Sequence, residues 1–237
     1  MRGMIVMAMF VASLAGAAGT DYEEQRELAL GSSGISQVEI EAGAGSLDVK
    51  GVPGLKEIKV LATIHVPDSS TEDAQKIIES ELILTLDRRG DRAMLKANFD
   101  DSGWHFGDSP RIDLEVQMPD SLHLAVDDGS GSLEVSSVTG NIDVEDGSGS
   151  ITLTDVGGEI EIDDGSGSIS ATGVGGNISI EDGSGSIRVR GVAGSVTIDD
   201  GSGGIDVSDV ALDLIIVDDG SGGLDYSDIK GRVEKDT

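Results

Sequence analysis

The tetrapeptide Asp-Gly-Ser-Gly starts at Asp128, Asp146, Asp164, Asp182, Asp200 and Asp219, with a spacing of 18 residues four times and then 19. A fixed period of this length marks a stacked repeat architecture, in which each unit buries its apolar side only against its neighbours. Every 18-residue unit divides into two halves of nine. Asp146 to Thr154 reads DGSGSITLT, and Asp155 to Asp163 reads DVGGEIEID. Each half is a glycine-rich turn followed by alternating apolar and polar residues, the pattern of a half-buried strand. One unit is therefore strand, corner, strand, corner. Glycine supplies the positive φ that a tight corner needs.

The inward columns are aliphatic: Leu133, Val135, Val138, Ile142 and Val144 in one coil, then Ile151, Leu153, Val156, Ile160 and Ile162 in the next. Burying one such side chain stabilises by about 1.5–3 kcal/mol. Ordering the backbone costs about 1–2 kcal/mol per residue. A lone coil should not fold, so the coils must stack, about 4.8 Å apart, and pair like strands in the same direction. The expected fold is all-β: a two-faced parallel β-solenoid of about 18 residues per coil. An N-terminal cap with antiparallel strands and one short helix should close one end.

In chain order, residues 1–19 read as a signal peptide. Arg2 is the positive start, Met4 to Ala18 is apolar, and Ala15-Gly16-Ala17 fits a small-residue cleavage site. The apolar run is short for a membrane span. No later long apolar run exists, so no transmembrane segment is expected after signal removal. With no cysteine in the chain, there is neither a disulfide framework nor a lipid-attachment thiol. These features predict an exported protein, periplasmic or extracellular.

Residues 20–34 form a polar leader, and Tyr22 to Leu30 is compatible with a short helix or a strand. Residues 35–126 read as the cap. Ala44 to Gly54 is a degenerate copy of the repeat, which predicts a first coil there. Lys56 to Val66 alternates as a strand. Ser69 with Glu72 resembles a capping box, so Thr71 to Ser80 is the predicted helix. Strands should follow near 82–86, 93–97 and 112–118, separated by a loop holding Trp104, His105 and Phe106. Residues 127–237 are the solenoid proper. Val210 to Val217 carries one residue too many and predicts a bulge. Lys230, Arg232, Glu234 and Lys235 put charge on the final edge, a common protection against edge pairing.

A leader, a degenerate first coil, a strand followed by a helix, and then 18-residue coils with a Gly-Ser corner: this order resembles the bacterial putative-adhesin family of β-strand repeat proteins, a domain of unknown function. The resemblance covers residues 35–237 and rests on the half-repeat G-x-[IL]-x-[VL], as in Gly149-Ser150-Ile151-Thr152-Leu153. Where that family often has Val-Asn-Gly at the corner, this chain has Asp-Gly-Ser-Gly. The resemblance implies a β-solenoid in the cell envelope and no catalytic residues.

The formal charge is −29, from 45 acidic against 16 basic residues. Such a surface repels phosphate backbones and argues against nucleic-acid binding. The sharpest feature is the column of Asp128, Asp146, Asp164, Asp182, Asp200 and Asp219, each preceded by another acid (Asp127, Glu145, Asp163, Glu181, Asp199, Asp218). Stacked like charges repel. Two readings relieve this. Each carboxylate caps the N–H groups of its own corner, which predicts depressed pKa values. Alternatively, calcium bridges the column through carboxylate and carbonyl oxygens, which makes the chain a calcium-dependent binding module. The nine-residue calcium β-roll repeat is similar in length, but its sixth position is Asp where this chain has Ile151, Ile169 or Ile187.

Outward Ser150, Thr152, Thr154, Ser168, Ser170 and Thr172 make a hydroxyl-rich face, interrupted by Glu134, Arg188, Arg190, Asp206 and Asp225. Parallel solenoids also host glycan-active enzymes, which need long loops, paired acids with a base, and aromatics. Here the corners are short and aromatics make up 3% of the chain. His65 and His123 stand isolated in strand patterns. No nucleophile triad, phosphate loop or metal-spaced histidine cluster is present. The expectation is a non-enzymatic envelope protein without cofactor, structural or adhesin-like, with an unidentified envelope or surface partner.

Overall fold

The computed structural model describes residues 21–100 and 109–235, together with a short strand at 8–10. Trp104, His105 and Phe106 lie outside the described residues, as does most of the expected signal peptide at 1–19. The N-terminal part contains β1 (Ala8–Phe10), β2 (Tyr22–Gly31), β3 (Gln37–Val52), β4 (Glu57–Val66), α1 (Thr71–Glu81), β5 (Leu82–Arg89), β6 (Arg92–Phe99) and β7 (Arg111–Pro119). The repeats contain β8 (His123–Ser136), β9 (Ile142–Asp146), β10 (Gly149–Val156), β11 (Ile160–Asp164), β12 (Gly167–Val174), β13 (Ile178–Asp182), β14 (Gly185–Val192), β15 (Val196–Asp200), β16 (Gly203–Val210), β17 (Leu214–Asp218), β18 (Gly223–Ile229) and β19 (Val233–Lys235).

Strands stack in two parallel ladders that share one core. The longer strands β10, β12, β14, β16 and β18 pair in order, each residue on its equivalent 18 positions away, as Ile151 on Ile169, and 19 away at the last step, as Ile205 on Leu224. The shorter strands β9, β11, β13, β15, β17 and β19 form the second ladder, as Ile160 on Ile178. β8 bends through both ladders: its first half pairs with β9 and its second with β10. β3 does the same one level earlier, pairing with β8 along nearly its whole length. This is the degenerate first coil that Ala44 to Gly54 predicted.

The cap grows from β3. Its first half pairs with β6 and its second with β7, both parallel. Beyond them the direction reverses: β5 is antiparallel to β6, and β4 joins β7 to β2 in antiparallel order. The ambiguous segment Tyr22 to Leu30 is thus a strand, with Tyr22, Leu28 and Leu30 buried against the core. Antiparallel pairing lets short hairpins cover an end that parallel coils would leave open.

The helix starts at Thr71 as expected, but its cap is one residue later than the Ser69–Glu72 pattern implies. Ser70 is the N-cap: its hydroxyl oxygen accepts from the Asp73 N–H at 3.2 Å. The Ser69 hydroxyl instead donates to the Pro67 carbonyl at 3.0 Å. Ala74 and Ile78, one turn apart, are the helix residues that enter the core.

All the aliphatic columns read from the repeat point inward. From Leu133 to Ile198 they are at most 3% exposed. The extra residue near the C-terminal end produces the expected irregularity: Ile198 pairs with Ile216, but Asp199 pairs with Asp218, which leaves Val217 as the bulge. Leu212, Val217, Tyr226 and Val233 are exposed on these last coils. Arg232 and Lys235 are held there by ion pairs with Asp213 and Asp219.

Candidate functional site

The Asp-Gly-Ser-Gly corner is where sequence and geometry constrain each other most. Its second glycine has φ from +135° to +154° at Gly131, Gly149, Gly167, Gly185 and Gly203. A Cβ at Gly149 would sit 1.8 Å from the Gly131 carbonyl oxygen, and one at Gly167 would sit 1.6 Å from the Gly149 carbonyl oxygen. A side chain is excluded by both backbone conformation and space. The corner's N–H groups are used in two ways. Gly147 N–H donates to the Asp128 carbonyl of the coil before at 2.9 Å, and Gly149 N–H to the Ser166 carbonyl of the coil after at 3.0 Å. The Ser148 N–H between them turns inward.

That inward N–H meets the aspartate. Asp146 Oδ1 accepts from Ser148 N–H at 3.2 Å, Asp164 from Ser166 at 3.0 Å, Asp182 from Ser184 at 3.0 Å and Asp200 from Ser202 at 3.0 Å. Each aspartate caps its own corner, two residues on, as an Asx turn does. The column is also interior. Asp128, Asp146, Asp164, Asp182 and Asp200 are between 0 and 6% exposed, whereas the preceding acids Asp127, Glu145, Asp163, Glu181 and Asp199 are exposed. The second carboxyl oxygen of all five buried aspartates has no hydrogen-bond partner.

Burial reverses the pKa direction that capping alone implies. Desolvation, with the neighbouring aspartates adding repulsion, pushes Asp128 up to about 7 and Asp164 up to about 6, against the backbone N–H groups that favour the ionised form. Burial likewise raises Asp146, Asp182 and Asp200. The sequence tied capping to a depressed pKa; the structure separates the two, because the capped oxygen is only one of the pair.

Asp219 departs from the column. It is only half-buried, its carboxylate pairs with Lys235 Nζ at 2.6 Å, and Asp218 Oδ1 caps that corner through the Gly220 N–H at 2.9 Å. The bulge at Val217 and the thin last coil above it account for the change.

The exposed acids Asp127, Glu145, Asp163, Glu181, Asp199 and Asp218 align in register on the outside of the same corner. Glu41 continues the row beside Asp127 and is paired with Lys96. Among the described residues, no group of three or more His, Cys, Asp or Glu side chains is arranged to hold a metal ion.

A second ladder, at the opposite end of the short strands, escaped the sequence reading. His123, at the start of β8, is followed at intervals of 18 by Asn141, Glu159, Asn177, Ser195 and Asp213, each just before a short strand. Here the side chains bond to the next coil rather than their own, most of them to its backbone and Glu159 to the Asn177 side-chain amide. Asn141 N–H donates to His123 Nδ1 at 3.0 Å, Glu159 N–H to Asn141 Oδ1 at 3.1 Å, and Ser195 N–H to Asn177 Oδ1 at 2.9 Å. Asp213 Oδ1 continues the series with the Arg232 N–H at 2.7 Å. His123 is thus the first member of a ladder. His65 lies 2.9 Å from Asp113 and 3.8 Å from Glu23 within the cap.

Both solenoid faces are flat and polar. On the short-strand face an open groove of about 650 Å³ runs across the coils past His123, Asn141, Asp143, Glu161, Ser179 and Thr197. On the long-strand face the hydroxyl rows are crossed by Arg188, 3.4 Å from Asp206, and Arg190, 3.1 Å from the Ser208 hydroxyl. No helix among the described residues is long and apolar enough to cross a membrane.

The fold has a counterpart among solved structures. A "putative cell adhesion protein" from Clostridium sporogenes superposes with a TM-score of 0.50 over 90% of this chain and 100% of its own, at 10% identity. The chain shares that protein's fold. A "putative adhesin" from Bacteroides fragilis matches at 10% identity and a TM-score of 0.40, covering 90% of this chain and 97% of its own. No protein-family model matches the sequence, and no curated protein does.

Proposed function

We propose that the chain is an exported, non-enzymatic bacterial envelope protein that works as a rigid structural or adhesin-like surface, presenting flat polar faces to an envelope or cell-surface partner. The observation that carries this is the in-register continuation of both faces through the coils: each outward residue stacks on its equivalent in the next coil. Repeats of this kind make extended, preorganised contact surfaces whose side chains are fixed by the ladder rather than by loops. The adhesin description of the Clostridium sporogenes protein of similar fold agrees with it, as do the leader at residues 1–19 and the formal charge of −29.

The test has two arms. The full chain and a form lacking residues 2–19 are expressed in a bacterial host and fractionated; the full chain should leave the cytoplasm and the truncated form should stay in it. Immobilised mature protein is then offered envelope extract alongside a variant carrying Ser179→Lys and Thr197→Lys on the short-strand face. Saturable retention of an envelope component, weakened in the variant, supports the reading. Export of the truncated form, or turnover of envelope glycans by the purified protein, overturns it.

A further inference from the structure

We propose that the buried carboxyls of Asp128, Asp146, Asp164, Asp182 and Asp200 form a shared-proton ladder, in which folded protein at neutral pH keeps some of these groups protonated and each such Oδ–H donates to a carboxyl oxygen on the adjacent coil.

The geometry leads there by elimination. One oxygen of the carboxyl accepts the corner N–H, as at Asp164 and Ser166. The other is buried and has no partner in any of the five. Two backbone N–H groups beside it are committed to inter-coil bonds, as Gly165 to Asp146 O and Gly167 to Ser184 O. An unpaired buried carboxylate oxygen is costly, and a run of five more so. The residues stacked directly above and below each carboxyl are its own equivalents, as Asp182 on Asp164 and Asp200 on Asp182. A carboxyl spans about 2.2 Å between its oxygens, from C–O bonds of about 1.23 Å. Coils about 4.8 Å apart then leave about 2.6 Å between facing oxygens of successive carboxyls turned along the stack, inside the range of an O–H···O bond.

Among the described residues, the charged groups that act on Asp128, Asp164 and Asp200 are other aspartates. The sequence neighbours are the exposed acids Asp127, Glu145, Asp163, Glu181 and Asp199. At one end Ala42 occupies the equivalent position in the preceding strand. At the other, Asp218 and Asp219 repel Asp200, and the positive charge of Lys235 is engaged by Asp219. Every titratable group facing the ladder thus favours proton retention, and burial acts in the same direction, most at Asp128 and Asp164.

The sign follows. A carboxyl whose folded pKa is raised binds protons on folding, so its contribution is full below the unfolded pKa near 3.8 and fades as pH rises through the folded values of about 6 and about 7. The solenoid should tighten in mild acid and loosen toward neutrality, with protons drawn from solvent.

The test uses the purified full chain without added metal. Aspartate carboxyl carbons are titrated by NMR, and melting is followed from about pH 5 to about pH 8 at constant ionic strength. Asp128 is expected to titrate at about 7 and Asp164 at about 6, with Asp146, Asp182 and Asp200 also shifted upward, and melting should be at least about 5 °C higher at the acid end. The variant D128N/D146N/D164N should lose most of that difference, because it includes the two most strongly raised groups and each amide carries its own N–H donors and does not titrate. The control D127N/E145Q/D163N, which removes the same formal charge from the exposed row, should keep it. Ladder carboxyls that titrate near or below about pH 4 would overturn the proposal, as would equal pH dependence in both variants. A calcium-, magnesium- or sodium-specific rise in melting over choline at matched ionic strength would also overturn it and identify a cation column. If the asparagine variant fails to fold, the titration of the unmodified protein decides alone.

Discussion

Gly167 lies so close above Gly149 that a Cβ on the later residue would be 1.6 Å from the earlier residue's carbonyl oxygen. The same approach recurs at Gly185 over Gly167 and at Gly203 over Gly185, at 1.5 Å each. Backbone of one coil seats directly on backbone of the next, and the corner can repeat only while this glycine does.

Substituting Gly167→Ala should therefore cost more than about 3 kcal/mol, combining a forced backbone shift with a positive φ that alanine tolerates poorly. Gly204 is the contrast. It occupies the position held by Ser186 one coil earlier, and a Cβ there meets nothing within 4 Å. Gly204→Ser should change stability by less than about 0.5 kcal/mol. Chemical denaturation of the two variants measures both; similar losses would mean that the corner is not closed in this way.

The in-and-out register gives a second pair. Ile178 is 1% exposed between two ladders, whereas Ser179 lines the groove on the short-strand face. Ile178→Asp should cost several kcal/mol by burying an uncompensated charge. Ser179→Asp should cost under about 1 kcal/mol, the main penalty being repulsion from Glu161 in the coil before. Thermal melts that fall equally would contradict the register.

Much of this was legible in the sequence for a physical reason. A period of 18 forces equivalent residues to stack, so one coil's alternation fixes the inward columns of all, and Ile151, Ile169 and Ile187 were assigned together. What the repeat could not supply is what differs from coil to coil or depends on depth. Asp128 to Asp200 read as an acidic edge, because aspartate suggests solvent; that the side chain turns inward follows from the Ser148-type N–H, which only the folded corner displays. The ladder of His123, Asn141, Glu159, Asn177, Ser195 and Asp213 was hidden because its residue types vary while its position does not. A search by position would have found it. Ser70 displaced Ser69 as N-cap because adjacent serines offer the same chemistry, and the chain's exit from β4 at Pro67 decides which hydroxyl faces the helix.

That last distinction is testable. Ser70→Ala removes the acceptor of the Asp73 N–H and should cost about 1 kcal/mol. Ser69→Ala removes only a bond to the Pro67 carbonyl and should cost about half as much or less. Urea melts of the two variants discriminate, and a larger loss at Ser69 would return the cap to the position that the Ser69–Glu72 pattern suggested.

The cross-coil ladder should respond differently from the aspartate column. Asn177 accepts from Ser195 N–H at 2.9 Å and donates to Glu159 at 3.2 Å, in an exposed position. Water can replace both partners, so Asn177→Ala should cost only about 0.5–1.5 kcal/mol. Its effect should be local: hydrogen exchange of the Ser195 amide should accelerate while the amides of β12 keep their protection. Loss of protection throughout β11 to β15 would show that the ladder, not the core, holds the coils together.

Acid stability sets the final prediction. Asp113 is the partly buried carboxylate whose pKa moves opposite to the column. Burial opposes its ionisation, but the Ser46 N–H at 2.9 Å and the neighbouring His65 and Arg111 hold it below the usual carboxylate value. Its contribution is present above the unfolded pKa near 3.8 and is lost as pH falls through the lower folded value. Asp73 and Asp91 are depressed in the same direction but exposed, and Asp213 is depressed but only half-buried at the last coil, so they add little. Together with the aspartate column, these groups should give a melting curve that is highest at about pH 4–5 and falls on both sides. Asp113→Asn should flatten the acid limb while leaving the fall toward neutral pH unchanged, because Asp113 lies in the cap and takes no part in the column. A variant that instead flattened the neutral limb would show that the two groups of carboxylates are coupled through the first coil.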